Sequence, residues 1–141
     1  MNRILIIAIF ALLSACSRGD SSISKAIAGQ FDRESVSVID LSMVGPEGWD
    51  RVCILTPYTS NAVAEKVLGF KWDSDAKTSI AGSDGINVLV FLKDHEVLAF
   101  TEHPRNKGDF SGMNPHCLSR ARAKFVRVAG EDGWTFLRER A

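Results

Sequence analysis

The chain has 141 residues, with 17 Lys and Arg set against 17 Asp and Glu, 45% apolar residues and three cysteines. That length suits one ordinary domain, and the balanced charge excludes general nucleic-acid binding, which depends on neutralising several phosphates at once. The sequence contains no Gly-x-Ser-x-Gly elbow, Walker loop or dinucleotide fingerprint, so the familiar nucleophile and nucleotide sites are not written in it.

Arg3 and the free amine make a short positive segment, residues 4–13 are an unbroken apolar run, and Ser14 and Ala15 are small. This is the tripartite pattern of an export signal. The apolar run is far shorter than the roughly 20 residues that span a hydrocarbon core. Leu13-Ser14-Ala15-Cys16 resembles the lipobox of bacterial lipoproteins. The resemblance covers the leader only and implies cleavage before Cys16, a diacylglyceryl group on the Cys16 thiol, and acylation of the new amine. It also implies outer-membrane attachment facing the periplasm, because Ser17 stands where an aspartate holds such lipoproteins at the inner membrane. Two or three acyl chains are needed for durable anchoring, since each buried methylene contributes about 0.8 kcal/mol and a single myristoyl chain is marginal. The expected division is a leader at 1–15, a polar lipidated tether at 16–22 and one globular domain at 23–141.

Within that domain, Ile23, Ala26, Ile27 and Phe31 are spaced near 3.6 and predict a short helix capped by Ser21 or Ser22. Residues 34–41 alternate well enough for a strand, stopped at Gly45-Pro46-Glu47-Gly48. Val52, Cys53, Ile54 and Leu55 run consecutively, as in a strand covered on both faces. Pro57 and Thr59-Ser60-Asn61 then offer turn and cap residues for a second helix, whose stripe of Ala62, Val63, Ala64, Val67 and Leu68 stops at Gly69. Residues 71–85 read as a connecting loop. Residues 86–92 and 97–101 form a hairpin around Lys93-Asp94-His95-Glu96, where His95 is a turn residue that tolerates positive φ. Residues 103–116 are a long irregular stretch, of a length that is uncommon without a purpose. Residues 120–128 and 134–138 make a final hairpin, whose Arg120, Arg122, Lys124 and Arg127 read as one solvated sheet face.

These elements predict an α+β fold, mainly an antiparallel sheet of about six strands with two short helices on one face. A β-sandwich or half-open barrel is the competing architecture. With Cys16 committed to lipid, Cys53 and Cys117 are an even pair in an oxidising compartment and are expected to form a disulfide. The closed loop of about 65 residues corresponds to about 4 kcal/mol in the chain-entropy model.

Candidate chemistry is sparse. His116 beside Cys117 suggests an activated thiol, and with His103 it suggests a thiol- or metal-dependent hydrolase. Sequence neighbours on a strand point to opposite faces, however, and none of the histidines has a recognised metal-ligand spacing. We expect no metal and no cofactor. Trp49, Tyr58 and Trp72 flank predicted elements; with His103, Arg105 and His116 of the long loop, they form the candidate partner-binding set. The resulting expectation is a lipid-anchored envelope protein that acts as a binding or assembly accessory. Its partner would be another envelope protein or a cell-wall component. One specific form is an inhibitor of a wall-degrading enzyme such as lysozyme, inserting residues 103–116 into the enzyme's cleft.

Overall fold

The computed structural model describes residues 19–141; the leader, the lipid-attachment residue Cys16 and the tether as far as residue 18 lie outside the described residues. No helix among the described residues is long and apolar enough to cross a membrane.

Helix α1 (Ser21–Asp32) is capped by Asp20, whose carboxylate accepts from the Ser22 N–H at 2.9 Å. Ser21 and Ser22, the expected caps, lie inside the first turn instead. The helix buries Ile23 and Ile27, one turn apart on the same face. Fully burying one such side chain contributes about 1.5–3 kcal/mol. At its far end Arg127 donates to the carbonyls of Gln30, Phe31, Arg33 and Val36. It thereby satisfies acceptors that a helix end leaves orphaned and sets a cation at the negative end of the dipole.

Among the described residues seven strands form two antiparallel sheets. Strands β2 (Arg51–Leu55), β3 (Ile86–Lys93), β4 (Glu96–Pro104) and β5 (Cys117–Ser119) lie in the order β4-β3-β2-β5, while β1 (Ile39–Asp40), β6 (Lys124–Ala129) and β7 (Thr135–Glu139) lie in the order β1-β6-β7. The class is α+β with one Cys53–Cys117 disulfide, as expected. The layering differs from the single sheet with both helices on one face. Val52, Ile54, Leu89 and Phe91 pack against α1 and the smaller sheet. Cys53, Leu55, Val88, Val90 and Leu92 project the other way, onto helix α2 (Asn61–Leu68). The continuous apolar runs of β2 and β3 demand this, because both of their faces must be covered. Helix α2 is capped by Ser60 and ends at Gly69 with φ 86°, as its sequence implies.

The expected strand at 34–41 shortens to the two residues of β1, whose Asp40 N–H and carbonyl bond the Gln30 side chain. Residues 71–85 contain a helical turn, α3 (Ser74–Lys77), capped by Asp73, and a 3-10 turn at Ile80–Gly82. Hydrogen bonds from Asn61 and from the Ala76 amide hold the Asp73 carboxyl below its ordinary value. In the β3–β4 turn Asp94, not His95, adopts positive φ, at 52°. The solvated basic face is not formed. Residues 120–122 make a tight turn, Arg120 bonds the Ser42 carbonyl over the ring of Trp49, and Arg122 pairs with Glu139.

Candidate functional site

The long irregular segment is where the fold concentrates its polar contacts. Gly108, at φ 108°, lies so close to β7 that an added Cβ would come within 2.5 Å of Leu137 Cδ1. That approach lets Asp109 pair with the edge of β7, its N–H donating to the Thr135 carbonyl at 3.0 Å and its carbonyl accepting from Leu137 at 2.7 Å. The next amide, of Phe110, donates to Asn87 Oδ1 at 2.9 Å, and Asn87 Nδ2 donates to Ser111 Oγ at 3.0 Å. Asn87 is a buried polar residue on β3, flanked in that strand by the apolar Ile86 and Val88. Its role is to receive this loop.

Asp109 anchors the segment electrostatically as well. Its Oδ2 accepts from Arg105 Nε at 3.1 Å, Arg105 Nη2 at 2.8 Å and Trp134 Nε1 at 2.7 Å, while Oδ1 accepts from the Ser111 N–H at 2.8 Å. Burial alone pushes this carboxyl up; the bonds from Arg105, Trp134 and Ser111 together outweigh it and leave the group below its ordinary value. Arg105 also donates to the Asp84 carbonyl and stacks over Trp134 at 5.2 Å. Arg138 closes the far side, donating to the Ser111 carbonyl at 2.7 Å and lying 4.5 Å over the ring of Phe136.

His103 forms the base of the same loop and is fully buried. Its Nδ1 lies 2.9 Å from Ser24 Oγ and its Nε2 lies 3.0 Å from the Lys107 carbonyl. The carbonyl can only accept, so Nε2 carries the proton and Nδ1 accepts from the serine hydroxyl. Burial lowers the imidazole pKa and the bond to Lys107 raises it; burial prevails and the ring is held neutral.

Two open depressions flank this loop. One, of about 560 Å³, is lined by Arg105, Glu131, Trp134 and Phe136. The other, of about 490 Å³, lies at the loop tip, where Asn114, Pro115 and His116 meet Arg51, Val63 and Lys66. Among the described residues no acidic side chain lines the second depression, and Asn114, Pro115 and His116 are all exposed.

The sequence-predicted set is divided by this geometry. Arg105 and His103 meet at the loop base, and His116 stands at its tip. Trp49 is 1% exposed, packed edge-on against Phe91, with its Nε1 donating to the Val44 carbonyl at 2.8 Å. It and His103 therefore belong to the interior, not to a surface that a partner would meet. Trp72 is half-buried, edge-on to Phe100. Tyr58 is 63% exposed and sits at φ 62°, an uncommon backbone region for a bulky residue. The hydrolase set does not assemble either. Cys117 is bonded to Cys53, both nitrogens of His103 are engaged, and the His116 carbonyl serves β2 through Ile54. Among the described residues no three His, Cys, Asp or Glu side chains converge to hold a metal.

Sequence reasoning missed Asp109, Asn87 and Ser24 as the fixed points of the loop. One signal was available: an aspartate two residues before Ser111 can fold an Asx turn, and the Oδ1 bond to the Ser111 amide has that form. Fold and site together define a small disulfide-linked α+β domain that presents a pinned surface loop. No family model, no curated protein and no solved structure matches the chain.

Proposed function

We propose that this protein is a lipid-anchored component of the bacterial cell envelope that works by binding, with residues 105–116 as its recognition element. Cys16 carries the lipid at the outer membrane, and the domain faces the periplasm. The observation that carries the binding role is the loop itself, pinned at Asp109 while Asn114, Pro115 and His116 stay exposed beside Arg51 and Lys66. A surface ordered before contact avoids the cost of immobilising side chains on binding, about 0.5–1.5 kcal/mol for each rotamer-rich one. Its partner is an envelope protein or wall component that presents negative charge to the loop tip. The inhibitor form of this reading has the tip entering the cleft of a wall-degrading enzyme.

The experiment is photocrosslinking in intact cells from a benzoylphenylalanine placed at Asn114 or at Pro115, with the same probe at Lys25 on α1 as control. The reading expects one reproducible envelope partner from both tip positions and none from α1. It fails if the tip positions give the same products as Lys25. Radiolabelled palmitate tests the anchor: the label is expected in the native chain and absent from Cys16→Ser.

A further inference from the structure

The depression lined by Arg105, Glu131, Trp134 and Phe136 shares no residue with the loop-tip surface. Its construction is unusual for an incidental hollow. Beyond anchoring the loop together with the backbone bridge to β7 and the Asn87 bonds, the buried charge of Asp109 has a second effect. It fixes the orientation of two rim side chains, Arg105 through two bonds and Trp134 through its indole N–H. Taking a carboxylate out of water costs several kcal/mol, and side chains locked by a buried partner are the mark of a preorganised site. The volume of about 560 Å³ falls in the range of small-molecule sites.

We infer that this depression binds a neutral saccharide ring, held against Trp134 and Phe136 and hydrogen-bonded between Arg105 and Glu131. The chemistry selects that class. Trp134 has its one polar group spent on Asp109 and one face under Arg105, so the surface it presents to the C–H face of a ring is its remaining apolar face. Arg105 spends three N–H groups on Asp109 and Asp84, leaving two of the guanidinium's five for a ligand. Glu131, exposed across the depression, can only accept. A hydroxyl both donates and accepts, so a polyhydroxylated neutral ring satisfies the cation and the carboxylate together. An anionic ring would meet Glu131 and a cationic one would meet Arg105.

The test is calorimetric titration of the full-length protein in detergent with tetrasaccharides of N-acetylglucosamine, glucose and mannose. Tetramers of glucosamine and of galacturonate serve as the cationic and anionic counterparts. At least one neutral tetramer is expected to bind with Kd at or below about 1 mM. Trp134→Ala is expected to weaken that binding at least about tenfold, or ~1.4 kcal/mol. Trp134→Phe keeps a flat surface but gives up the bond to Asp109, so it should weaken binding by about threefold, or ~0.7 kcal/mol, between the native chain and Trp134→Ala. Glu131→Gln lies outside the Asp109 network and should weaken binding by a similar factor of about three with an unchanged circular dichroism spectrum. The inference is overturned if no neutral tetramer binds, if either charged tetramer binds more tightly, or if Glu131→Gln and Trp134→Ala both bind as the native chain does. None of these outcomes bears on crosslinking from Asn114.

Discussion

Replacing Asp109 by asparagine preserves the shape of the side chain while removing its charge and one of its acceptors. An amide whose oxygen faces Arg105 and Trp134 turns its NH2 towards the Ser111 N–H; reversed, it meets the donors of Arg105 and Trp134 instead. In the first orientation Arg105 loses its ion pair but keeps a charged donor, and the bond from Trp134 becomes neutral, a loss of about 1 kcal/mol each, while an orphaned amide adds about 1–3 kcal/mol. The Arg105 share is discounted because its side chain is 23% exposed and water screens it. The total is about 3–4 kcal/mol, at the lower end of what breaking a buried ion pair costs. For a domain of this size that lowers Tm by about 10–20 °C. Urea unfolding followed by circular dichroism measures it directly, with the slope m expected to stay constant. A loss below about 1 kcal/mol would refute the assignment of Asp109 as the electrostatic anchor of the loop.

Arg127→Met keeps contact with Phe31 while withdrawing the guanidinium donors from the Gln30, Phe31, Arg33 and Val36 carbonyls; it should cost about 2 kcal/mol and speed amide exchange along α1 before other elements, as read by hydrogen exchange. The Cys53→Ala, Cys117→Ala double variant frees β5 from β2 and should lose about 3–4 kcal/mol in urea, the bulk of the loop-closure contribution. His103 is held neutral, with its pKa below the unfolded value of about 6.5. Its contribution is therefore complete above about pH 6.5 and lost as pH falls through the folded pKa. The urea midpoint of the native chain should fall as pH drops from about 6.5 towards 5, and His103→Gln should flatten that dependence whatever its absolute stability.

The parts of the fold that local chemistry decides were legible in the sequence. Ser60 and Gly69 bound α2 because a hydroxyl cap and a residue free to take positive φ act within a few positions. The β3–β4 hairpin follows from two apolar runs and a two-residue turn. The disulfide follows from an even pair of cysteines once Cys16 is assigned to lipid. What was not legible depends on partners far along the chain. Nothing near Arg127 reveals that it caps a helix more than ninety positions away, and nothing near Asp109 reveals Asn87 or Trp134. Trp49 and Tyr58 look alike as aromatics flanking an element, yet one is core and the other is exposed. The difference lies in the neighbours Phe91 and Arg120, which cover Trp49 from β3 and from the turn before β6.

The central claim is that residues 105–116 form a held surface before any partner arrives. Native-state hydrogen exchange at the consecutive amides of Asp109, Phe110 and Ser111 tests it most directly, because each donates to a named acceptor: the Thr135 carbonyl, Asn87 Oδ1 and Asp109 Oδ1. The expected result is that all three exchange only with the global unfolding of the domain and lose protection together in Asp109→Asn. Exchange at the rates of an unstructured peptide, in an otherwise protected domain, would contradict the account.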